Sequence, residues 1–386
     1  MASSFRSNQP PQTSVAEKLG LALVMANALR LAFQQYLAAS ISSPPPNRPP
    51  KAVLVQSAAL RTVFGSTNWR QQHLRAPPSS VTYKTWVEEA AQKGLGYEHA
   101  VEDILGGGLE TRIMWIGPPW KTGDTSRKIL LYIHGGGFVM PLAPAQLQWM
   151  RFLREEVKRT HGQDVSVAVV EYSTAPGKVF PTPFHQATLA LNHLLAAGCP
   201  PSNISIVGDS AGGNATLSIL SHILHPYPGV TPVLPLSEPL ASAVLISPWV
   251  TMATDSESFV KYQDIDYVTA KLGKYWGGLA MGQGTTENEA ARGRYHAEAL
   301  LAPESWWKGL DNAVKFVGIT AGGCETLVDH ILKLDKKIRA EGGTKFELFV
   351  DEKEIHDGPI LDFLAGRPAS EVTLNVAKWL GAGFTD

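Results

Sequence analysis

From about residue 111 onward, short apolar runs alternate with longer segments whose apolar residues recur every three or four positions. The runs are "TRIMWIG" (111–117), "KILLYIH" (128–134), "VSVAVVEY" (165–172), "ISIVG" (204–208), "AVLISP" (243–248), "KFVGIT" (315–320) and "FELFV" (346–350). The later ones are almost wholly apolar, as strands covered on both faces must be. Helical periods fill the gaps at 145–159, 183–197, 211–224, 326–340 and 370–380. Strand-helix alternation of this kind predicts an α/β fold with a mostly parallel central sheet flanked by helices.

Two stretches depart from the rhythm. Upstream, 19–40 is strongly apolar, but Arg30, Gln34 and Gln35 interrupt it. Those residues favour a buried or amphipathic helix over a membrane span, with membrane-surface association left open. The proline-rich "SSPPPNRPP" (42–50) is a stiff connection to 51–98, where weak periodicity predicts mixed helix and loop. Downstream, 251–310 holds no evident strand and gathers Phe259, Tyr262, Tyr267, Tyr275, Trp276, Trp306 and Trp307. An insertion between two core strands is usually a lid or a substrate-binding element. The triplet Gly106 to Gly108 lacks a strand-loop-helix context and reads as a turn.

Composition narrows the classes. The 386 residues are 44% hydrophobic and 18% charged, with net charge -1, an ordinary globular balance. Scattered charges give no basic stripe for nucleic acid. Cys199 and Cys324 form no CxxC and no zinc-ligand spacing, so they read as free thiols, a single disulfide being left open. The opening "MASSFRSNQPPQTS" lacks the basic and apolar regions of a signal peptide, so a cytoplasmic location is expected. The sequons at Asn203 and Asn214 fall on expected buried structure and are discounted.

The chemistry centres on "SIVGDSAGGNATLSIL" (205–220). Its G-x-S-x-G core, Gly208 to Gly212, joins a strand to a helix. A turn that sharp strains the serine, lifts Oγ above the sheet and has no room for flanking side chains. Ser210 is therefore the candidate nucleophile, at a helix N-terminus that favours developing negative charge. A serine needs a base, and the base needs an orienting acid. In this type of fold they follow in the order Ser, Asp or Glu, His, at the C-terminal ends of late strands. Glu325 and His356 meet that criterion, with Asp329 as the substitute acid.

"HGGGF" then has a purpose. An oxyanion needs backbone N–H groups at about 2.7–3.1 Å, and glycine lets the backbone come that close. One donor is expected from Ala211 and the others from the loop after the strand ending at Ile133. His134 reads as an anchor for that loop rather than a proton carrier. No metal or organic cofactor is called for.

Together, "HGGGF", "GDSAGGN", "SPW", "GGCETLVDH" and "HDGP" resemble the hormone-sensitive-lipase-like branch of the α/β-hydrolase superfamily. The resemblance implies an esterase or lipase with Ser210, Glu325 and His356 as its triad. It implies Gly136, Gly137 and Ala211 as oxyanion donors, with Gly135 shaping the turn. It also implies a cap made from N-terminal helices and the insertion. The expected division is 1–50 for tail and cap helix, 51–250 for the first part of the core, 251–310 for the cap insertion and 311–386 for the rest. Phe138 and Trp249 are the expected pocket walls. "YSTAPG" (172–177) replaces the family's frequent "YRLAPE", so local support of the site differs. The phrasing "GGCETLVDH … HDGP" is closer in style to fungal members.

The expected partner is a small-molecule ester; the oligomeric state is not read from the pattern. Two alternatives stay open. The same triad could serve acyl transfer, lactone chemistry or base-catalysed cyclisation in a natural-product pathway. A non-catalytic receptor on the same fold is the other, against which His356 argues.

Overall fold

The fold is described from a computed structural model over residues 11–41, 47–282 and 293–385. Eight strands form one sheet: β1 (Val101–Gly106), β2 (Leu109–Ile116), β3 (Lys128–Ile133), β4 (Val165–Glu171), β5 (Ile204–Asp209), β6 (Ser242–Ile246), β7 (Phe316–Gly322) and β8 (Lys345–Asp351). Their spatial order is β1-β2-β4-β3-β5-β6-β7-β8. The β1–β2 and β2–β4 pairs are antiparallel, and β4 through β8 are parallel.

The helices are α1 (Val15–Ile41), α2 (Lys51–Ser66), α3 (Trp69–His73), α4 (Ser79–Gln92), α5 (Pro144–His161), α6 (Thr182–Ala196) and α7 (Ala211–Leu224). There follow α8 (Glu257–Tyr262), α9 (Ala270–Met281), α10 (Val328–Glu341), α11 (Gly358–Leu364) and α12 (Glu371–Gly383). Short 3-10 turns lie between α9 and β7.

Strand periodicity sorts the core into two layers. Ile129, Leu131, Ile133, Ile204, Ile206 and Leu245 point to the face covered by α6, α7 and α10. Leu130, Tyr132, Val167, Val207 and Val244 point to the face covered by α5 and α12. Both faces are covered, which is why these strands read as near-continuous apolar runs. A smaller cluster joins Val53 of α2 to Tyr267, Val268, Ile355 and Leu361, so N-terminal and insertion residues meet around the loop that carries His356.

The strand the periodicity misses is β1. Its "VEDILG" is an edge strand with exposed Asp103 and Leu105, hence no apolar run to read. The glycine turn is as expected: Gly107 (φ 57°) and Gly108 (φ 73°) join β1 to β2. Along α1, Leu19, Leu23, Leu29, Phe33 and Leu37 are exposed. No described helix is long and apolar enough to cross a membrane. Both cysteines are free thiols and buried, and Asn203 and Asn214 are buried too.

The tightest approach in the core is that of α7 to β3. A Cβ added at Gly212 would lie 1.8 Å from the carbonyl oxygen of Ile133. Backbone on both sides leaves nothing that could rotate away. Gly212→Ala should therefore cost at least about 3 kcal/mol of stability, the upper range for overpacking. Urea denaturation of the variant against wild type measures it.

Candidate active site

The sheet's parallel strands β5, β6, β7 and β8 end on one side, and the loops beyond them carry the candidate chemistry. Ser210 sits between β5 and α7 at φ 50°, ψ -111°. That conformation is strained for any residue with a side chain. It is held by hydrogen bonds on both sides: Ser210 N–H donates to Ile246 (2.8 Å), and Trp249 and Asn214 N–H donate to the Ser210 carbonyl (3.0 Å each). The side chain of Asn214 donates in turn to the carbonyls of Trp249 (2.6 Å) and Ala297 (2.7 Å).

His356 follows β8. Its Nε2 lies 2.9 Å from Ser210 Oγ, and both residues are buried. Glu325 follows β7, and its Oε2 lies 3.6 Å from His356 Nδ1. That is longer than a formed hydrogen bond. Such contacts commonly tighten only when the site is loaded. Ser247, itself at φ 43°, donates to the same Oε2 over 2.6 Å. Asp329 is elsewhere: its carboxylate accepts the N–H of Ser258 at the start of α8.

The glycine loop is tied to the Ser210 turn through Asp209. That carboxylate accepts Tyr132 Oη (2.5 Å), Gly135 N–H (2.9 Å) and Gln146 Nε2 (2.8 Å). Gly136 and Gly137 have φ of 107° and 62°, where glycine carries no Cβ penalty. The Gly136 carbonyl accepts Met140 (2.8 Å) and Val139 (3.0 Å), which closes the loop on itself. A Cβ at Gly137 would lie 2.3 Å from Trp276 of α9, so this glycine also admits that ring. His134 is fully buried, stacks on Tyr172 (4.3 Å between centroids) and has its pKa lowered by burial to about 4. A neutral, immobilised ring suits an anchor. Ala211 is the first residue of α7, next to Ser210.

Asp266, in the 251–310 segment, is the group that periodicity could not find. One oxygen accepts Thr326 N–H (2.8 Å) and hydroxyl (3.2 Å); the other accepts the N–H of Tyr267 (2.7 Å) and of His356 (3.4 Å). It thus binds the Glu325 loop to the His356 loop. Burial pushes its pKa up to about 6, against the pull of His356 and Thr326.

A cavity of about 350 Å³ opens onto Ser210 and His356. Gly135, Gly136 and Asp357 contribute to it, together with Phe64, Trp86, Met140, Leu142, Trp276 and Ile360. Phe138 and Trp249 do not line it. Phe138 packs edge-on against Tyr172 and faces a much smaller void, and Trp249 lies beneath α9 near Gly277. No group of described residues has the makings of a metal site.

Residues 130–359, more than half of the chain, match the α/β-hydrolase-fold family model, and the chain belongs to that family. Among curated relatives, an acetyl-hydrolase of Streptomyces hygroscopicus is 29% identical over 53% of this chain and 61% of its own. Steryl acetyl hydrolase 1 of Saccharomyces cerevisiae is 24% identical over 62% of this chain and 56% of its own. The chain thus spans little more than half the length of these relatives. A solved esterase of the bacterial hormone-sensitive lipase family superposes with TM-score 0.58 at 20% identity, over 97% of this chain and all of the other, which is a likeness of fold.

Electrostatics around His356 generate a test that needs no substrate. Burial alone would lower its pKa, but the carboxyls of Asp357, Glu325 and Asp266 outweigh burial and hold it above the ordinary value. The imidazole should titrate above about 6.5, the unperturbed histidine value. Glu325→Gln, by removing negative charge, should move that midpoint down. NMR titration of the His356 ring protons checks both; an unshifted midpoint in the variant would separate Glu325 from the histidine.

Proposed function

We propose that this chain is a serine hydrolase of carboxylic esters, working through Ser210, His356 and Glu325 and an acyl-enzyme intermediate. The observation that carries the reading is the 2.9 Å approach of His356 Nε2 to Ser210 Oγ at the floor of a cavity. Ser210 attacks the ester carbonyl while His356 takes its proton at Nε2. Glu325 faces Nδ1 and stabilises the imidazolium. The proton then goes to the leaving alkoxide. Water, activated by the same nitrogen, releases the acid and restores Ser210. The tetrahedral oxyanion lies against the N–H groups of Gly136, Gly137 and Ala211, which the freedom of the glycine loop and the start of α7 support.

The names of the two curated relatives support acetyl or other small acyl groups as substrates. The largely apolar cavity supports a bulky apolar remainder of the ester. We read the N-terminal helices and residues 251–310 as a cap, since Phe64, Tyr267 and Trp276 reach the cavity from them.

Ser210→Ala should abolish hydrolysis of p-nitrophenyl esters, with activity highest for acetate and falling toward decanoate. Turnover by the variant at the wild-type rate would sink the mechanism. Ser247→Ala removes the hydroxyl that holds Glu325. A hydrogen bond to a charged group is worth about 1.5–3 kcal/mol, so kcat/KM should fall roughly 10–100-fold with KM little changed. Steady-state kinetics with p-nitrophenyl acetate measure that split.

A further inference from the structure

Asp357 has no part in the triad, yet it stands beside it. Its Oδ2 lies 3.5 Å from His356 Nε2, the nitrogen that faces Ser210. The residue is 6% exposed and borders the cavity, and Oδ1 has no hydrogen-bond partner among the described residues. Asp357 also occupies the N-cap position of α11, where an aspartate normally accepts a helix N–H. Here the side chain makes no such bond; only the backbone carbonyl caps, accepting Ile360 (2.9 Å) and Leu361 (3.0 Å). The backbone is held at φ 52°, and its N–H reaches Ser247 Oγ over 3.3 Å. A buried carboxyl that forgoes its own cap and turns Oδ2 toward the reacting nitrogen at the edge of the cavity is placed to accept a hydrogen bond from an occupant of that cavity.

We propose that Asp357 holds the water that attacks the acyl-enzyme, a role that rests on the serine-esterase reading above. Water bound between Asp357 Oδ2 and His356 Nε2, which lie 3.5 Å apart, donates one hydrogen to each. Its oxygen attacks the carbonyl carbon of the Ser210 ester, and the hydrogen on the histidine side passes to Nε2. The other hydrogen stays on the water oxygen, still bonded to Asp357. Collapse of the tetrahedral intermediate re-forms the carbonyl and breaks the bond to Ser210 Oγ, which receives the proton from His356. Asp357 acts only as an acceptor, so a neutral or an ionised carboxyl serves. An attacking alcohol has one hydroxyl hydrogen, used by His356, and so has none for Asp357.

The test is pre-steady-state turnover of p-nitrophenyl acetate, with product partition in added methanol. Asp357→Gly suits the left-handed backbone and removes the carboxyl. It should release one equivalent of p-nitrophenol per enzyme at near the wild-type rate, then turn over roughly 10–100-fold more slowly. Its ratio of methyl acetate to acetate should rise about tenfold over wild type. Asp357→Asn keeps an acceptor oxygen and tolerates the same backbone, so it should retain most of the rate and the wild-type ratio. If Asp357→Gly does not fold by thermal melting, Asp357→Asn carries the test: a partition ratio several-fold above wild type in that variant would overturn the role. Wild-type turnover, a slowed first release, or an unchanged partition ratio in Asp357→Gly would overturn the role. Failure of the underlying reading looks different: wild type would release no p-nitrophenol, or Ser210→Ala would release it equally well.

Discussion

The site depends on one constraint, the left-handed turn that carries Ser210 from β5 into α7. A residue with φ 50° cannot relax toward either element without losing the hydrogen bonds that join it to Ile246, Trp249 and Asn214. Strain of this kind costs of order 1–3 kcal/mol and persists only where the surroundings over-determine it. Here the surroundings are backbone. A Cβ on Gly208 would lie 2.3 Å from the Gly212 carbonyl oxygen, and one on Gly212 would meet β3. The glycines are consequences of how closely helix and sheet pack, and the raised serine is the consequence of the glycines.

Around that turn four buried carboxyls converge, and they differ in how fully each is satisfied. Asp209 accepts three hydrogen bonds and fixes the glycine loop. Asp266 accepts four and fixes the two loops that carry Glu325 and His356. Glu325 is bound on one oxygen only, with Oε1 unpaired. Asp357 has an unpaired oxygen and borders the cavity. Buried polar groups are ordinarily satisfied, and the exceptions mark where a protein keeps capacity for something else. The two satisfied carboxyls hold the frame, and the two unsatisfied ones flank the histidine on opposite sides, one toward Nδ1 and one toward Nε2.

Much of this was legible in the sequence, for a physical reason. The sheet strands of the parallel core are buried on both faces, so burial alone writes them as apolar runs. Ser210, Glu325 and His356 come together because each follows the end of a strand in the parallel run β5 to β8, and strand ends can be counted along a chain. Asp266 could not be found that way, because it acts from an irregular segment upon loops some 60 and 90 residues distant. Asp357 was in plain view within "HDGP", but nothing in the spelling says that its side chain abandons the helix it begins. Phe138 and Trp249 adjoin the motifs yet lie off the cavity, since adjacency in sequence is a poor guide to which side of a strand-end loop faces it.

The cavity marks where such reading ends. The floor comes from turns whose geometry is almost determined by packing, hence by short motifs. The walls come from Phe64, Trp86, Met140, Trp276 and Ile360, on five separate segments. None of these five must be the residue it is for the sheet to form. Nothing in the fold fixes their volume except one another and whatever occupies the space between them. Trp276 shows the link between the two regimes: its ring rests where Gly137 lacks a side chain, and its Nε1 donates to Gln72 over 3.1 Å. A change in the helices beyond the sheet therefore reaches the glycine loop through a single indole. That contact couples the wall of the cavity to the loop beside Ser210, so the shape of the wall and the geometry of its floor are set together there.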